Sequence, residues 1–166
     1  MSKYYLVDTN VLLAASGMAT HLGKSQVTTV RDWLTKFQQD RDAFLLFDSE
    51  GSPALTKSRI LEEYLRKMPK NAFGWQVIKA KIDARSYRCY RVAYEGTPLH
   101  EYAVLVPTLT RGWIDPSDRK FIAVALEHIK AYPRQRCRIV NATDQDWSQC
   151  ASTLYQHNVE IEQLLP

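Results

Sequence analysis

Tyr4 to Val7 is a nearly continuous apolar run that stops at Asp8. Such a run, without polar alternation, is the pattern of a strand covered on both faces in a parallel sheet. A parallel sheet in turn needs crossover helices, and the chain supplies them. Val27, Val30, Leu34 and Phe37 recur at helical spacing, and Ala43 to Phe47 reads as a second strand closed by the turn-prone Asp48-Ser49-Glu50-Gly51-Ser52-Pro53. From Ala54 to Met68 the residues Ile60, Leu61, Tyr64, Leu65 and Met68 predict a helix that Pro69 ends, and Asn71 to Ala84 predicts another.

The stretch from Ser86 to Arg111 has the least regular pattern. Tyr90 to Tyr94 and Tyr102 to Val106 read as short strands around Gly96-Thr97-Pro98, forming a hairpin or a mobile arm. Beyond it, Asp115-Pro116-Ser117-Asp118 opens a helix whose apolar face is Phe121, Ile122, Ala125, Leu126 and Ile129, with Pro116 suited to a first turn. Arg138 to Ala142 reads as a strand, and Thr143-Asp144-Gln145-Asp146 leads into a helix carrying Trp147, Cys150, Ala151, Leu154 and Tyr155. Val159 to Ile161 reads as a last edge strand. The expectation is an α/β fold of three layers, with a central parallel sheet of four to five strands and helices on both faces. At 166 residues it forms one domain, 1–166, with a basic, partly irregular segment at about 70–111.

Tyr4 to Ala15 is interrupted by Asp8 and Asn10 and lacks a basic leader, so it reads as neither a signal peptide nor a membrane span. A cytoplasmic protein without membrane association is expected. Cys89, Cys137 and Cys150 contain no Cys-x-x-Cys pair and read as reduced, packed residues, while His21, His100, His128 and His157 show no ligand spacing.

Asp8 and Asp144 each follow a predicted strand, and in open parallel sheets the site lies outside the carboxyl ends of the strands. Asp118 opens the helix before the last of these strands, and Glu62 and Glu63 lie on the helix after the second. Several carboxylates at one place repel one another unless a divalent cation or a proton intervenes. A structural reading stands beside this one. Asp115 with Asp118, and Thr143 with Asp146, both fit helix capping, Glu62 and Glu63 fit a solvated flank, and Asp8 has no evident structural need beyond a turn role, which stays open.

Val7-Asp8-Thr9-Asn10-Val11-Leu12, Ile60-Leu61-Glu62-Glu63-Tyr64, Asp115-Pro116-Ser117-Asp118-Arg119-Lys120-Phe121 and Asn141-Ala142-Thr143-Asp144-Gln145-Asp146-Trp147 resemble, in order, the four motifs of PIN-domain nucleases. The resemblance implies a PIN-like, Rossmann-like sheet and cleavage of single-stranded RNA with Mg²⁺ or Mn²⁺, as in the toxins of toxin-antitoxin pairs. An antitoxin protein and a second copy of the chain are the further partners it brings. It makes Asp8, Glu63, Asp118 and Asp144 the catalytic acids, with Glu62 the alternative for the helix position, and Asp8, Asp118, Asp144 and Asp146 the metal ligands. Thr9, Asn10 and Thr143 would orient carboxylates or metal-bound water. The long stretch from Asn71 to Arg111 departs from the smallest family toxins.

The net charge of +4 is uneven, because Lys57 to Arg91 holds ten Lys/Arg against three acids. Lys57, Arg59, Arg66 and Lys67, with Arg119, are the expected RNA-backbone contacts, and Tyr64, Phe73, Trp75, Tyr87 and Tyr90 are either base-stacking rings or core. Two other functions compete. A haloacid-dehalogenase-type phosphatase also begins with a strand-end Asp but expects a second Asp where Asn10 stands. A catalytically silent RNA- or protein-binding module would keep the fold without the chemistry.

Overall fold

The computed structural model describes residues 2–50, 55, 57–97, 100–106, 109 and 114–166. In chain order it holds β1 (Lys3–Val7), α1 (Thr9–Ala15), α2 (Lys24–Gln39), β2 (Ala43–Ser49), α3 (Arg59–Lys67), α4 (Phe73–Asp83) and β3 (Tyr87–Arg91). These are followed by β4 (Tyr94–Thr97), β5 (His100–Ala103), a 3₁₀ turn (Pro116–Asp118), α5 (Arg119–Ala131), β6 (Cys137–Asn141), α6 (Asp146–Tyr155) and β7 (Val159–Gln163).

Five strands form one sheet in the order β3-β2-β1-β6-β7, every neighbouring pair parallel. β1 is central and buried on both sides, as its apolar run requires. Tyr4 meets His128 of α5, with ring centroids 4.3 Å apart, whereas Tyr5 meets Trp33 and Phe37 of α2 at 5.8 and 5.3 Å. Successive strand residues face opposite ways, so α2 and α5 cover opposite faces of the sheet. The result is a Rossmann-like three-layer α/β arrangement.

Local sequence explains the helix boundaries that frame the site. α3 starts where Ser58 Oγ accepts from Leu61 N at 3.1 Å and Asp48 Oδ2 accepts from Arg59 N at 2.7 Å, and the Met68-Pro69 step ends it. Tyr64 O–H donates to Val7 O, tying α3 beneath the end of β1. α4 carries Gly74 against α1, where an added Cβ would lie 2.6 Å from Leu12 O.

One helix was not foreseen and two expectations need correction. Thr9–Ala15 is helical, a helix hidden inside the amino-terminal apolar stretch. Tyr90 to Tyr94 is not one strand: Tyr87–Arg91 joins the main sheet beside β2, while Tyr94–Thr97 pairs antiparallel with His100–Ala103 in a separate hairpin. Asp48 is a buried in-strand residue rather than a turn residue, accepting from Ser58 Oγ at 2.7 Å and Tyr94 O–H at 2.6 Å. Gly51 to Ala54 and Pro98 lie outside the described residues. No described helix is long and apolar enough to cross a membrane.

Candidate active site

Chain order reverses between β1 and β6, and at such a switch the two following connections leave on opposite faces, opening a crevice at the strand ends. Asp8 sits at this point. Its backbone N–H donates to Val140 O at 2.9 Å, its Oδ1 accepts from Asn10 N at 3.1 Å to cap α1, and its Oδ2 accepts from Trp147 Nε1 at 2.6 Å. The strand-end acid therefore does have a structural task, one unseen because α1 was unseen. Burial pushes the Asp8 carboxyl above its ordinary range, the bonds from Trp147 and Asn10 oppose this, and Asp144 and Glu63 add to the rise.

Asn10 joins the two loops of the crevice. Its Nδ2 donates to Asn141 Oδ1 at 3.0 Å, and its Oδ1 accepts from Ala142 N at 2.9 Å. Asn141 Oδ1 also accepts from Asp144 N at 3.0 Å, and Asp144 Oδ1 accepts from Asp146 N at 2.9 Å. The expected Thr143–Asp146 cap is thus replaced by Asp144, while Asp146 is exposed and the half-buried Thr143 makes no side-chain hydrogen bond with the described residues.

Of the two helix acids, Glu63 is buried, whereas Glu62 is 56% exposed and paired with Arg59 at 3.4 Å. Glu63 Oε1 accepts from Thr9 Oγ1 at 2.6 Å and pairs with Lys67 at 3.0 Å, and its Oε2 pairs with the buried Lys120 at 2.6 Å. Burial alone would raise the Glu63 carboxyl, but Lys120, Thr9 and Lys67 outweigh it and hold the group at about 2. Lys120 also donates to Ser117 O. Sequence reasoning gave Lys120, Asn141 and the Trp147 indole no role, although all three lie within the four motifs.

The pair Asp115 and Asp118 divides its labour. Asp115 Oδ1 accepts from Ser117 N at 2.8 Å and is the cap; Asp118 accepts no hydrogen bond from any described residue. Burial first, then the charge of Asp8, push the Asp118 carboxyl up to about 7. Asp144 and Glu63 thus lie close enough to raise the Asp8 carboxyl, and Asp8 and Glu63 close enough to raise that of Asp118.

Carboxylate oxygens are the donors that Mg²⁺ and Mn²⁺ favour, and the Asp118 carboxylate carries no competing hydrogen bond from the described residues. In donor chemistry the cluster fits such an ion. In position it fits less well, because among the described residues no three acids stand ready to hold one ion together.

The basic segment is dispersed rather than gathered. Arg59 is taken up by Glu101 at 2.6 Å and Glu50 at 3.1 Å, Lys57 pairs with Glu50 at 3.1 Å, and Arg119 lies over the Tyr102 ring at 5.1 Å. Lys81 is buried, donating to Asp40 O and Ala43 O at the far edge of the sheet. Arg66 and Lys67 remain exposed on α3 near the acids. Tyr64 is buried and Phe73, Trp75, Tyr87 and Tyr90 are partly buried against the core, so these rings are structural.

No family model matches the chain, and comparisons with curated proteins and with solved structures return no match.

Proposed function

We propose that the chain is a Mg²⁺- or Mn²⁺-dependent endoribonuclease of the PIN type, cutting single-stranded RNA at the Asp8 edge of the sheet. The observation that carries this reading is Asp118, a half-buried carboxylate with no hydrogen-bond donor among the described residues, set beside the buried Asp8. Two such acids repel each other, and a hard divalent cation offsets that repulsion without a proton. On this reading Asp118 and Asp8 would hold the ion, and because no three described acids are grouped around one point, Asp144 and Asp146 would reach it through bound water; when bound, the ion supplies an activated water and stabilises charge on a phosphate.

The chain's own groups have separate tasks. Trp147 and Asn10 hold Asp8 in position, Asn141 fixes the backbone of Asp144, and Lys67 and Arg66 present positive charge toward a phosphate backbone. Lys120 keeps Glu63 ionised and immobile. In the toxin role, expression arrests growth unless a partner protein covers the acidic edge.

The test is cleavage of an unstructured oligoribonucleotide with Mg²⁺ or Mn²⁺. Asp8→Asn and Asp118→Asn should each lower the rate by at least about 100-fold, the scale of losing a group that stabilises transition-state charge. Undiminished cleavage in the double variant refutes the mechanism. One observation favours a second reading, a catalytically silent RNA-binding module: Glu63 is already neutralised by Lys120 and Lys67. RNA binding indifferent to Mn²⁺, without turnover, would establish that alternative.

A further inference from the structure

A cavity of about 330 Å³ opens beside the acidic cluster, walled by α3, the 3₁₀ turn and the β4–β5 hairpin, with Glu63 and Lys120 among its lining residues. Its volume falls at the lower end of the range of about 300–1,000 Å³ usual for small-molecule sites.

The charges along the wall are largely spent on one another. Arg59 is bound by Glu101 at 2.6 Å, and Lys120 by Glu63 at 2.6 Å. Such a lining does not select a bare anion; it suits a flat, uncharged group that both donates and accepts hydrogen bonds. Tyr102 adds an aromatic wall, backed by the Arg119 guanidinium 5.1 Å from its ring centroid. Unpaired nucleobases stack on tyrosine rings and arginine planes.

Glu62 supplies the selectivity. Its side chain is 56% exposed; Oε1 has no partner among the described residues, and Oε2 has one long contact, 3.4 Å from Arg59, weak enough for a ligand to displace. A carboxylate offers two acceptors side by side and matches two parallel N–H donors. Among the four RNA bases only guanine presents two adjacent donors, N1–H and the N2 amine, on its Watson–Crick edge. Arg66, on the same wall, is placed to meet the phosphate attached to that nucleotide.

We propose that this cavity is a guanine-recognition subsite, in which Glu62 reads the Watson–Crick edge, Tyr102 provides the stacking surface and Arg66 contacts the phosphate. The assignment rests on reading the acidic edge as an RNA site and adds the base that is selected there. Its test does not depend on cleavage. Guanosine, adenosine, cytidine and uridine 5′-monophosphates are titrated calorimetrically into the full chain in the presence of a chelator.

Guanosine monophosphate should bind at least about tenfold more tightly than the other three, the scale of one bidentate base contact. Glu62→Gln should remove that preference, and Tyr102→Ala should weaken all four; Glu62 is exposed and Tyr102 half-buried, so far-UV circular dichroism of each variant, matching the parent, accompanies the titration. Equal binding of the four, no binding of any, or a guanine preference unchanged in Glu62→Gln overturns the proposal. Guanine preference without RNA cleavage in Mn²⁺ keeps the subsite and refutes the nuclease, whereas cleavage without guanine preference does the reverse.

Discussion

Lys120 Nζ lies 2.6 Å from Glu63 Oε2, and both side chains are more than nine-tenths buried. The pair links the first turn of α5 to the middle of α3 and decides what the helix acid can do. Removing Lys120 leaves the buried Glu63 charge with only Lys67 and Thr9 to offset it, and breaking one side of a buried pair costs far more than the pair contributes. Lys120→Met should therefore destabilise the protein by about 3 kcal/mol, and adding Glu63→Gln should restore most of the loss. Urea unfolding of the two single variants and the double variant at pH 7 measures this. Because the Glu63 carboxyl is lowered from 4.5 to about 2, its contribution is complete above pH 4.5 and disappears as the pH falls through about 2. That acid-side loss should be smaller in Lys120→Met.

Asp118 has the opposite sign. Burial and the Asp8 charge raise its carboxyl from 3.8 to about 7, so between these values the folded chain keeps a proton that the unfolded chain releases. Stability from this group falls as the pH rises through that window. Asp118→Asn should melt higher than the parent at pH 8, by about 2–4 °C for each kcal/mol relieved, and the advantage should vanish near pH 4. Millimolar Mn²⁺ should raise the melting temperature of the parent at pH 8 and leave the variant nearly unchanged. A variant that melts lower than the parent at pH 8 contradicts the burial argument.

Trp147→Phe keeps a ring in the core while deleting the indole N–H that donates to Asp8 Oδ2 at 2.6 Å. Hydrogen bonds to charged groups contribute about 1.5–3 kcal/mol. The variant should lose stability on that scale, and the acid limb of its cleavage profile should move to higher pH because ionised Asp8 has lost a donor. Denaturation combined with a rate–pH profile tests both.

Gly74→Ala should cost about 1–3 kcal/mol, because the new methyl would meet Leu12 O at 2.6 Å and push α4 away from α1. Thr9, at the start of α1, would shift with it and weaken its 2.6 Å bond to Glu63. Thermal unfolding gives the first effect; RNA cleavage falling more steeply than stability gives the second.

Those parts of the fold whose burial is uniform were legible in the sequence. β1 and β2 are buried almost throughout and β6 everywhere but Arg138, and parallel pairing with β1 in the middle sets the ends of β1 and β6, and so Asp8 and Asp144, at one edge of the sheet. β3 was illegible as a sheet strand because Tyr87–Arg91 lies at an edge, half-buried, with Arg88 covering aromatic rings rather than facing solvent alone. α1 was hidden because four of its apolar residues, Val11, Leu12, Ala14 and Ala15, are buried and extend the apolar run of β1. Charge misled most. Counting Lys81 and Arg59 as surface cations ignored partners that come from distant segments, Asp40 O and Glu101, which no local pattern reveals.

The β4–β5 hairpin closes its backbone pairing within itself and donates no strand to the five-stranded sheet. Its length and tip can vary between related sequences without shifting the register of any sheet strand. Selectivity for a ligand could therefore diversify on the hairpin while the acids stay where β1 and β6 leave them, and exchanging the hairpin between homologues offers an engineer a direct way to retarget the chain.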